Sequence, residues 1–378
     1  MKIIIDDKIP FIRGAFEPYA EVVYLPGSAV GPSDVRDADA VVTRTRTICN
    51  EALLSGSAVK IVASATIGYD HIDTAWCESA GIEWTNAPGC NSGSVCQYIC
   101  SVLVCLAQKY GLDLGGLTLG VVGVGNVGSK VVAAARALGM RVLLNDPPRA
   151  RREGPEAFVS LDELQSRADI ITLHVPLTDD GPDATRHLFD AERIAALGKD
   201  CILINSSRGP VVDNRALKAA LGAGALKAAV LDVWEGEPDI DLELLGLLDI
   251  ATPHIAGYSA DGKAGGTTAS VRAVARRLGL PLSDWLPASL PAPAAPLGFS
   301  IDAEGKTPFQ IISKAVLYTY DVLQDSARLK ASPASFERLR GDYPVRREPH
   351  AFTLSVPGAD ALTLSSLSSL GFVTNQGV

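Results

Sequence analysis

The stretch Leu119–Gly128, LGVVGVGNVG, constrains this chain more than any other. An apolar run reaches Gly123, Gly125 and Gly128 complete the GxGxxG spacing, and a helix-forming segment follows. That order reads as strand, tight turn, helix. The three glycines have separate jobs: Gly123 permits the turn, Gly125 lets the backbone approach a phosphate, and Gly128 lets helix and strand pack closely. Unpaired N–H groups at such a helix start favour an anion. Asp146 closes the next strand, eighteen residues beyond Gly128. A carboxylate there accepts from ribose 2′- and 3′-hydroxyls and repels a 2′-phosphate, which predicts NAD over NADP. Arg149 and Arg151 lie close by and argue the other way, since either would pair with a phosphate.

The rhythm around this turn sets the fold. Leu117–Val122, Arg141–Asn145, Asp169–Leu173, Asp200–Asn205, Lys227–Asp232 and Asp249–Thr252 are strand-like runs closed by turn chemistry. Helical stretches separate them, among them Ser129–Leu138, Asp190–Leu197 and Asp213–Leu221. Six parallel strands with helical crossovers make a doubly wound dinucleotide fold. An earlier series, Lys2–Ile5, Glu21–Tyr24, Ala40–Val42, Lys60–Ala63 and Ile82–Trp84, predicts a second, smaller parallel sheet of flavodoxin-like type. Ser92–Gly111 reads as one long helix capped by Ser92 or Ser94. From Gly279 the chain turns proline-rich, with Pro281, Pro287, Pro291, Pro293 and Pro296 forming a stiff connector. Beyond it Thr307–Leu329 reads as a helix and Phe352–Val356 as a strand. The fold class is therefore α/β: two doubly wound parallel-sheet domains and a small C-terminal α+β domain. The boundaries fall at 1–93 with 258–285 for a substrate domain, 94–257 for the NAD domain, and 286–378 for a C-terminal domain with an interaction or dimerisation role.

Bulk properties exclude other classes. The net charge of −9 over 378 residues argues against nucleic-acid binding and against a basic membrane face. The N-terminal MKIIIDD meets two acids after three apolar residues and does not read as a signal peptide, and the longest apolar run, Tyr98–Ala107, is too short to span a bilayer. Seven cysteines without a CxxC pair read as buried thiols in a reducing compartment, the cytoplasm. No spacing points to a metal.

Three strand-end loops carry reactive residues: Asn205–Gly209, Asp232–Pro238 and Thr252–Ser259. Ligands of doubly wound sheets sit at the carboxyl ends of the strands, so these loops converge on the nicotinamide. Removing a hydride from a carbinol carbon requires a base for the hydroxyl proton. His254 suits that task, because an imidazole titrates near neutrality. Glu237 would bond its other nitrogen and fix the tautomer. Arg208 offers a planar fork for a carboxylate beside the reacting carbon. Together the three imply a 2-hydroxy acid. His71, His174, His187 and His350 read as structural.

The set Gly123/Gly125/Gly128, Asp146, Arg208-Gly209, Glu237-Pro238 and Pro253-His254 resembles the D-isomer-specific 2-hydroxyacid dehydrogenases over roughly residues 1–280. Within that family the chain is similar to a branch carrying a C-terminal dimerisation domain. The pointers are Asp6–Phe11, Arg44–Thr47, Ala65–His71, Asn86–Asn91 and His254–Ser259. The resemblance implies a homodimer that oxidises 4-phospho-D-erythronate with NAD in vitamin B6 synthesis. It implies catalytic roles for Arg208 and Glu237, with His254 the proton donor in the reductive direction. It further implies substrate contacts from Thr45, Thr66 and Tyr258, and NAD contacts from Asn126, Val127, Asp146, Val175, Ser206, Ser207, Arg208, Asp232 and Gly257.

Arg44 and Arg46 interrupt an apolar strand, Ala40–Val42. Residues two apart in a strand face one way, so both would aim at one dianion while Thr45 or Thr47 adds a hydroxyl. Arg208 would then hold the carboxylate and Arg44 with Arg46 the phosphate. Arg346 and Arg347 form a second pair, read either as a solvated face or as reaching a phosphate. Two other functions stay open on sequence: a dehydrogenase for another acid, such as 3-phosphoglycerate or glyoxylate, and a non-catalytic NAD(H)-sensing protein.

Overall fold

The computed structural model describes residues 1–375. The chain divides into two units, Met1–Asn91 with Ser259–Pro291, and Ser92–Tyr258 with the chain from Ala292 onward.

In the first unit β1 (Lys2–Asp6), β2 (Glu21–Leu25), β3 (Ala40–Thr43), β4 (Ile61–Ser64) and β5 (Glu83–Thr85) form one parallel sheet in the order β2-β1-β3-β4-β5. This is the flavodoxin-like order. Ile3 and Ile5 enter the core on one face, with Val271 and Val274, while Ile4 enters the other with Leu54 and Val62. Both faces are covered, which is why these strands are continuous apolar runs rather than alternating ones. The helix Ala260–Leu278 starts at Ser259, whose hydroxyl accepts from the Gly262 N–H at 2.8 Å, and stops at Gly279 with φ +71°. It lies so close to the loop after β4 that a Cβ on Gly266 would sit 2.3 Å from the Ala65 carbonyl oxygen.

The second unit holds β6 (Thr118–Val122), β7 (Arg141–Asn145), β8 (Ile170–Leu173), β9 (Ile202–Asn205), β10 (Ala228–Leu231) and β11 (Ile250–Ala251), parallel, in the order β11-β10-β9-β8-β6-β7. Winding reverses at β6, with β7 on one side and β8 on the other. That reversal opens a crevice at the carboxyl end of β6, where the glycine turn lies. Beside β7 the Val159 N–H donates to the Leu144 carbonyl at 2.8 Å.

The helix Ser92–Tyr110 is buried on almost every face of its first four turns. It packs between the helix Asn126–Ala137 and the helix Pro308–Thr319 of the C-terminal segment. That segment adds three parallel strands, β12 (Gly298–Ser300), β13 (Thr353–Ser355) and β14 (Val373–Asn375), and belongs to the same unit as the six-stranded sheet. Two expectations change here. The helix expected over Thr307–Leu329 is two helices, Pro308–Thr319 and Val322–Ala331. Ser101 breaks it: its hydroxyl donates to the Tyr320 carbonyl at 2.9 Å and accepts the Val322 N–H at 3.0 Å, while Asp321 caps the new start through the Leu323 N–H. Nor do Ser92 or Ser94 stand as N-caps, since the helix begins at Ser92. Instead Glu348 of the C-terminal segment sits at that end. Its carboxylate accepts from the Ser94 hydroxyl at 2.9 Å and lies where a Cβ on Gly93 would go, 2.1 Å from Oε2. A carboxylate at a helix N-terminus is favoured by the helix dipole.

Candidate active site

The glycine turn is shaped by contact. Gly123 has φ +86°, and a Cβ there would meet the His174 carbonyl oxygen at 2.7 Å. A Cβ on Gly128 would lie 2.0 Å from the Gly123 carbonyl oxygen, so helix and turn touch backbone to backbone. Gly125 differs: among the described residues nothing lies within 4 Å of its would-be Cβ. The fold does not need glycine there, and the space is room for a diphosphate over the first-turn amides of Asn126 and Val127. The Asp146 carboxylate accepts the Val124 N–H at 2.8 Å and the Arg149 N–H at 3.0 Å, which holds it beside the turn. Arg149 is engaged by Glu153 at 2.6 Å and by the Val124 carbonyl at 2.6 Å, and Arg151 pairs with Asp183. Both arginines therefore have partners of their own, and the acidic residue beside the turn fits a ribose rather than a 2′-phosphate. Val175 follows β8, half-buried. Ser206 presents a buried hydroxyl with no hydrogen-bond partner among the described residues, as expected of a group awaiting a ligand. Ser207 is turned inward, its Oγ bonded to Asn205 Oδ1 at 2.8 Å. These features fit a bound dinucleotide.

The reactive loops leave adjacent strands in register, with Asn205 beside Leu231 and Leu231 beside Ala251. A Cβ on Gly209 would lie 1.9 Å from the Trp234 carbonyl oxygen, so the Arg208 loop rests directly on the next one. The Arg208 guanidinium is exposed, with Nη1 donating to the Ser207 carbonyl at 2.8 Å. Glu237 is fixed through one oxygen by the Trp234 N–H at 2.9 Å, and its other oxygen lies 2.8 Å from His254 Nδ1. His254 adopts φ +57°, a left-handed conformation uncommon for residues other than glycine, though histidine enters it more readily than most. Strain of this sort persists only where surroundings enforce it. Here the enforcing group is Asp232, 1% exposed. Its carbonyl accepts the His254 N–H at 2.7 Å, and its carboxylate accepts Ile255 N–H at 2.7 Å, Ala256 N–H at 2.9 Å and the Thr252 hydroxyl at 2.6 Å. Burial pushes the Asp232 carboxyl above its ordinary range, opposed by His254 and by these hydrogen bonds. The carboxylate is thus spent on shaping the turn that carries His254.

The C-terminal segment grips the same turn from behind. Arg346, 5% exposed, donates from Nη2 to the Ala256 carbonyl at 2.5 Å, its guanidinium 4.4 Å from the Tyr320 ring centroid. This corrects the expectation of a solvated or phosphate-seeking arginine: Arg346 is an internal cation that braces the turn through the Ala256 carbonyl, with the buried carboxylates of Asp325 and, less strongly, Asp232 acting on its charge. Tyr98 extends the network, its hydroxyl 2.9 Å from Thr252 Oγ1. Sequence reasoning missed these roles because a buried arginine and a surface one look alike in a charge run. The aromatic residues spaced around it, Tyr320 and Tyr343, were the available signal. Gly257 is half-buried next in the chain, and Tyr258 after it packs edge-on against Tyr343, with centroids 5.8 Å apart.

In the first unit the expected substrate residues gather at the carboxyl ends of β3 and β4. β3 ends at Thr43, so Arg44 and Arg46 lie in a loop and the strand alternation expected to align them does not apply. Arg44 donates to the Lys8 carbonyl at 3.2 Å, whereas Thr45 and Arg46 are exposed. Thr47 is buried and donates to the Gly27 carbonyl at 2.9 Å, a structural bond. Thr66 sits 2.8 Å from the Ser64 hydroxyl and 3.0 Å from the Gly68 carbonyl, tying its loop together. His71 is buried and kept below its ordinary range by burial, in keeping with a structural residue.

A switch-point glycine turn beside an Arg–Glu–His set on three neighbouring strand ends defines a nicotinamide-dependent dehydrogenase. The family model described as "D-isomer specific 2-hydroxyacid dehydrogenase, NAD binding domain" matches residues 106–256, and a domain of unknown function (DUF3410) matches 293–371. An erythronate-4-phosphate dehydrogenase from Bacteroides fragilis is 50% identical over 357 residues, covering 94% of this chain and 99% of its own. One from Edwardsiella ictaluri is 45% identical, covering 98% and 99%. The crystal structure of the D-lactate dehydrogenase from Aquifex aeolicus, complexed with NAD and lactic acid, superposes with a TM-score of 0.59 at 29% identity, covering 74% of this chain and 96% of that one. The chain belongs to the erythronate-4-phosphate dehydrogenases of the D-isomer-specific 2-hydroxyacid dehydrogenase family. Among the described residues no helix is long and apolar enough to cross a membrane.

Proposed function

We propose that the chain oxidises 4-phospho-D-erythronate at C2 with NAD, giving 2-oxo-3-hydroxy-4-phosphobutanoate for vitamin B6 synthesis. The observation that carries the chemistry is the 2.8 Å contact between His254 Nδ1 and Glu237 on a turn locked by Asp232. With Nδ1–H donating to the Glu237 carboxylate, Nε2 is left to take the proton from the C2 hydroxyl. In the reverse direction the same nitrogen returns it. Arg208 binds the carboxylate and fixes which face of C2 is presented. When bound, NAD supplies the hydride acceptor. Gly123, Gly125, Asn126, Val127, Gly128 and Asp146 hold its diphosphate and ribose, while Val175, Ser206, Ser207, Arg208, Asp232 and Gly257 line its path. Arg44, Thr45, Arg46, Thr66 and Tyr258 serve the substrate. The chain works as a cytoplasmic homodimer joined through residues 286–378; sedimentation of the purified protein as a monomer overturns the dimer.

The relatives' shared name and near-full-length identity support this substrate over others. The deciding experiment incubates the protein with NAD and, separately, 4-phosphoerythronate, erythronate, 3-phosphoglycerate and glycerate, following NADH absorbance. Preferential turnover of the phosphorylated four-carbon acid is expected. Equal or better turnover of another acid overturns the assignment.

A further inference from the structure

Arg340 lies on the short helix Phe336–Gly341 of the C-terminal segment, remote in sequence from every loop of the reaction centre. It is 24% exposed. Its Nη2 is 3.4 Å from the Tyr258 hydroxyl, four residues beyond His254, and Glu237 is close enough to act on its charge. One ion-pair partner is Glu337, at 3.1 Å, but that carboxylate is 62% exposed. A pair of this kind is well screened and opens at little cost. The buried Nε has no hydrogen-bond partner among the described residues. An arginine with an unused inward donor, beside the histidine turn and on an easily opened surface pair, is built to receive an anion.

We propose that Arg340 is a substrate-binding residue that grips the phosphate, so that the C-terminal segment contributes to specificity as well as to folding. The proposal rests on the phosphorylated substrate proposed above. Arg208, on the β9 loop, is the carboxylate's partner. A phosphate dianion has three acceptor oxygens and accommodates further guanidinium donors, whatever Arg44 and Arg46 supply. Lysine does not replace the fork, because a point charge offers no paired donors.

The test measures KM for 4-phosphoerythronate and for unphosphorylated erythronate in wild type, Arg340→Gln and Arg340→Lys. Calorimetric titration with NADH checks that each variant is folded. Removing one charge-assisted bond to the phosphate raises KM for the phosphorylated acid roughly ten- to a hundredfold, with a smaller rise for Lys than for Gln. The ratio of the two KM values should collapse in Arg340→Gln. An unchanged ratio in a variant that still binds NADH, or equal losses on both acids, overturns the role of Arg340. If the wild type itself prefers the unphosphorylated acid, the proposed substrate falls first, and the two failures are told apart.

Discussion

Ala256 is held between two buried opposite charges: its N–H donates to Asp232 and its carbonyl accepts from Arg346. The turn bearing His254 is thus fixed by one residue of the nucleotide sheet and one from the end of the chain. Removing a buried cation leaves the carboxylates that act on it, Asp325 and Asp232, uncompensated and costs about 3–5 kcal/mol. Arg346→Met should therefore lower unfolding stability by that order, measured by urea titration, and activity should fall with it. A variant as stable as wild type would show that these two carboxylates need no counter-charge from Arg346.

The dyad predicts a different signature. Glu237→Gln keeps a hydrogen-bond acceptor beside His254 Nδ1 but removes the charge that stabilises the protonated ring. Turnover should fall roughly a hundredfold or more, and His254→Asn should cost about 10²–10⁴-fold, while NADH affinity stays near wild type in both. Loss of NADH binding in step with turnover would mean that the pair supports the fold and not the proton transfer.

The glycines can be separated by experiment. Gly128→Ala drives a Cβ into the Gly123 carbonyl, a backbone clash, and should cost at least about 1–3 kcal/mol of stability. Gly125→Ala meets no described protein atom within 4 Å, so its melting temperature should match wild type. Its NAD affinity should drop about tenfold or more, equivalent to about 1.4 kcal/mol, because the methyl occupies the diphosphate's room. A Gly125→Ala protein with normal NAD affinity would move the diphosphate away from that amide.

His174, after β8, supplies the pH test. Desolvation pushes its imidazole down to about 3. The folded value lies below the unfolded one near 6.5, so the unfolded chain takes up the proton first. Stability from this residue is complete above pH ~6.5 and is lost as pH falls toward 3. Between pH 6.5 and 5 the loss is about 2 kcal/mol. His174→Gln, which retains a side-chain partner for the Thr172 hydroxyl, should show a shallower decline in melting temperature over that range. Parallel declines in both proteins would assign the acid sensitivity elsewhere.

Much of this was legible in the chain. The strand runs were, because sheets covered on both faces force continuous apolar stretches such as Lys2–Asp6 and Thr118–Val122. The meeting of the candidate residues was also legible: Arg208, Glu237 and His254, brought onto neighbouring loops, and Gly123 and Asp146 at the turn, each combine a residue type with a place at a strand end. What local pattern could not give was long-range pairing. Ser101 breaking a helix more than two hundred residues away, Glu348 at the start of Ser92–Tyr110, and Arg346 beneath Ala256 depend on contacts that no window of sequence contains. Arg44 and Arg46 misled for a smaller reason. The strand ends at Thr43, before either arginine, and alternation stops where the ladder does.

The proline-rich stretch around Pro281–Pro296 is exposed over most of its length, whereas the C-terminal segment beyond it is sewn into the nucleotide half by Gln97, Ser101, Glu348 and Arg346. A protease cutting that tether would release nothing. The severed tail would stay seated as if it were a separate subunit, and two fragments made independently should find each other and restore a working enzyme.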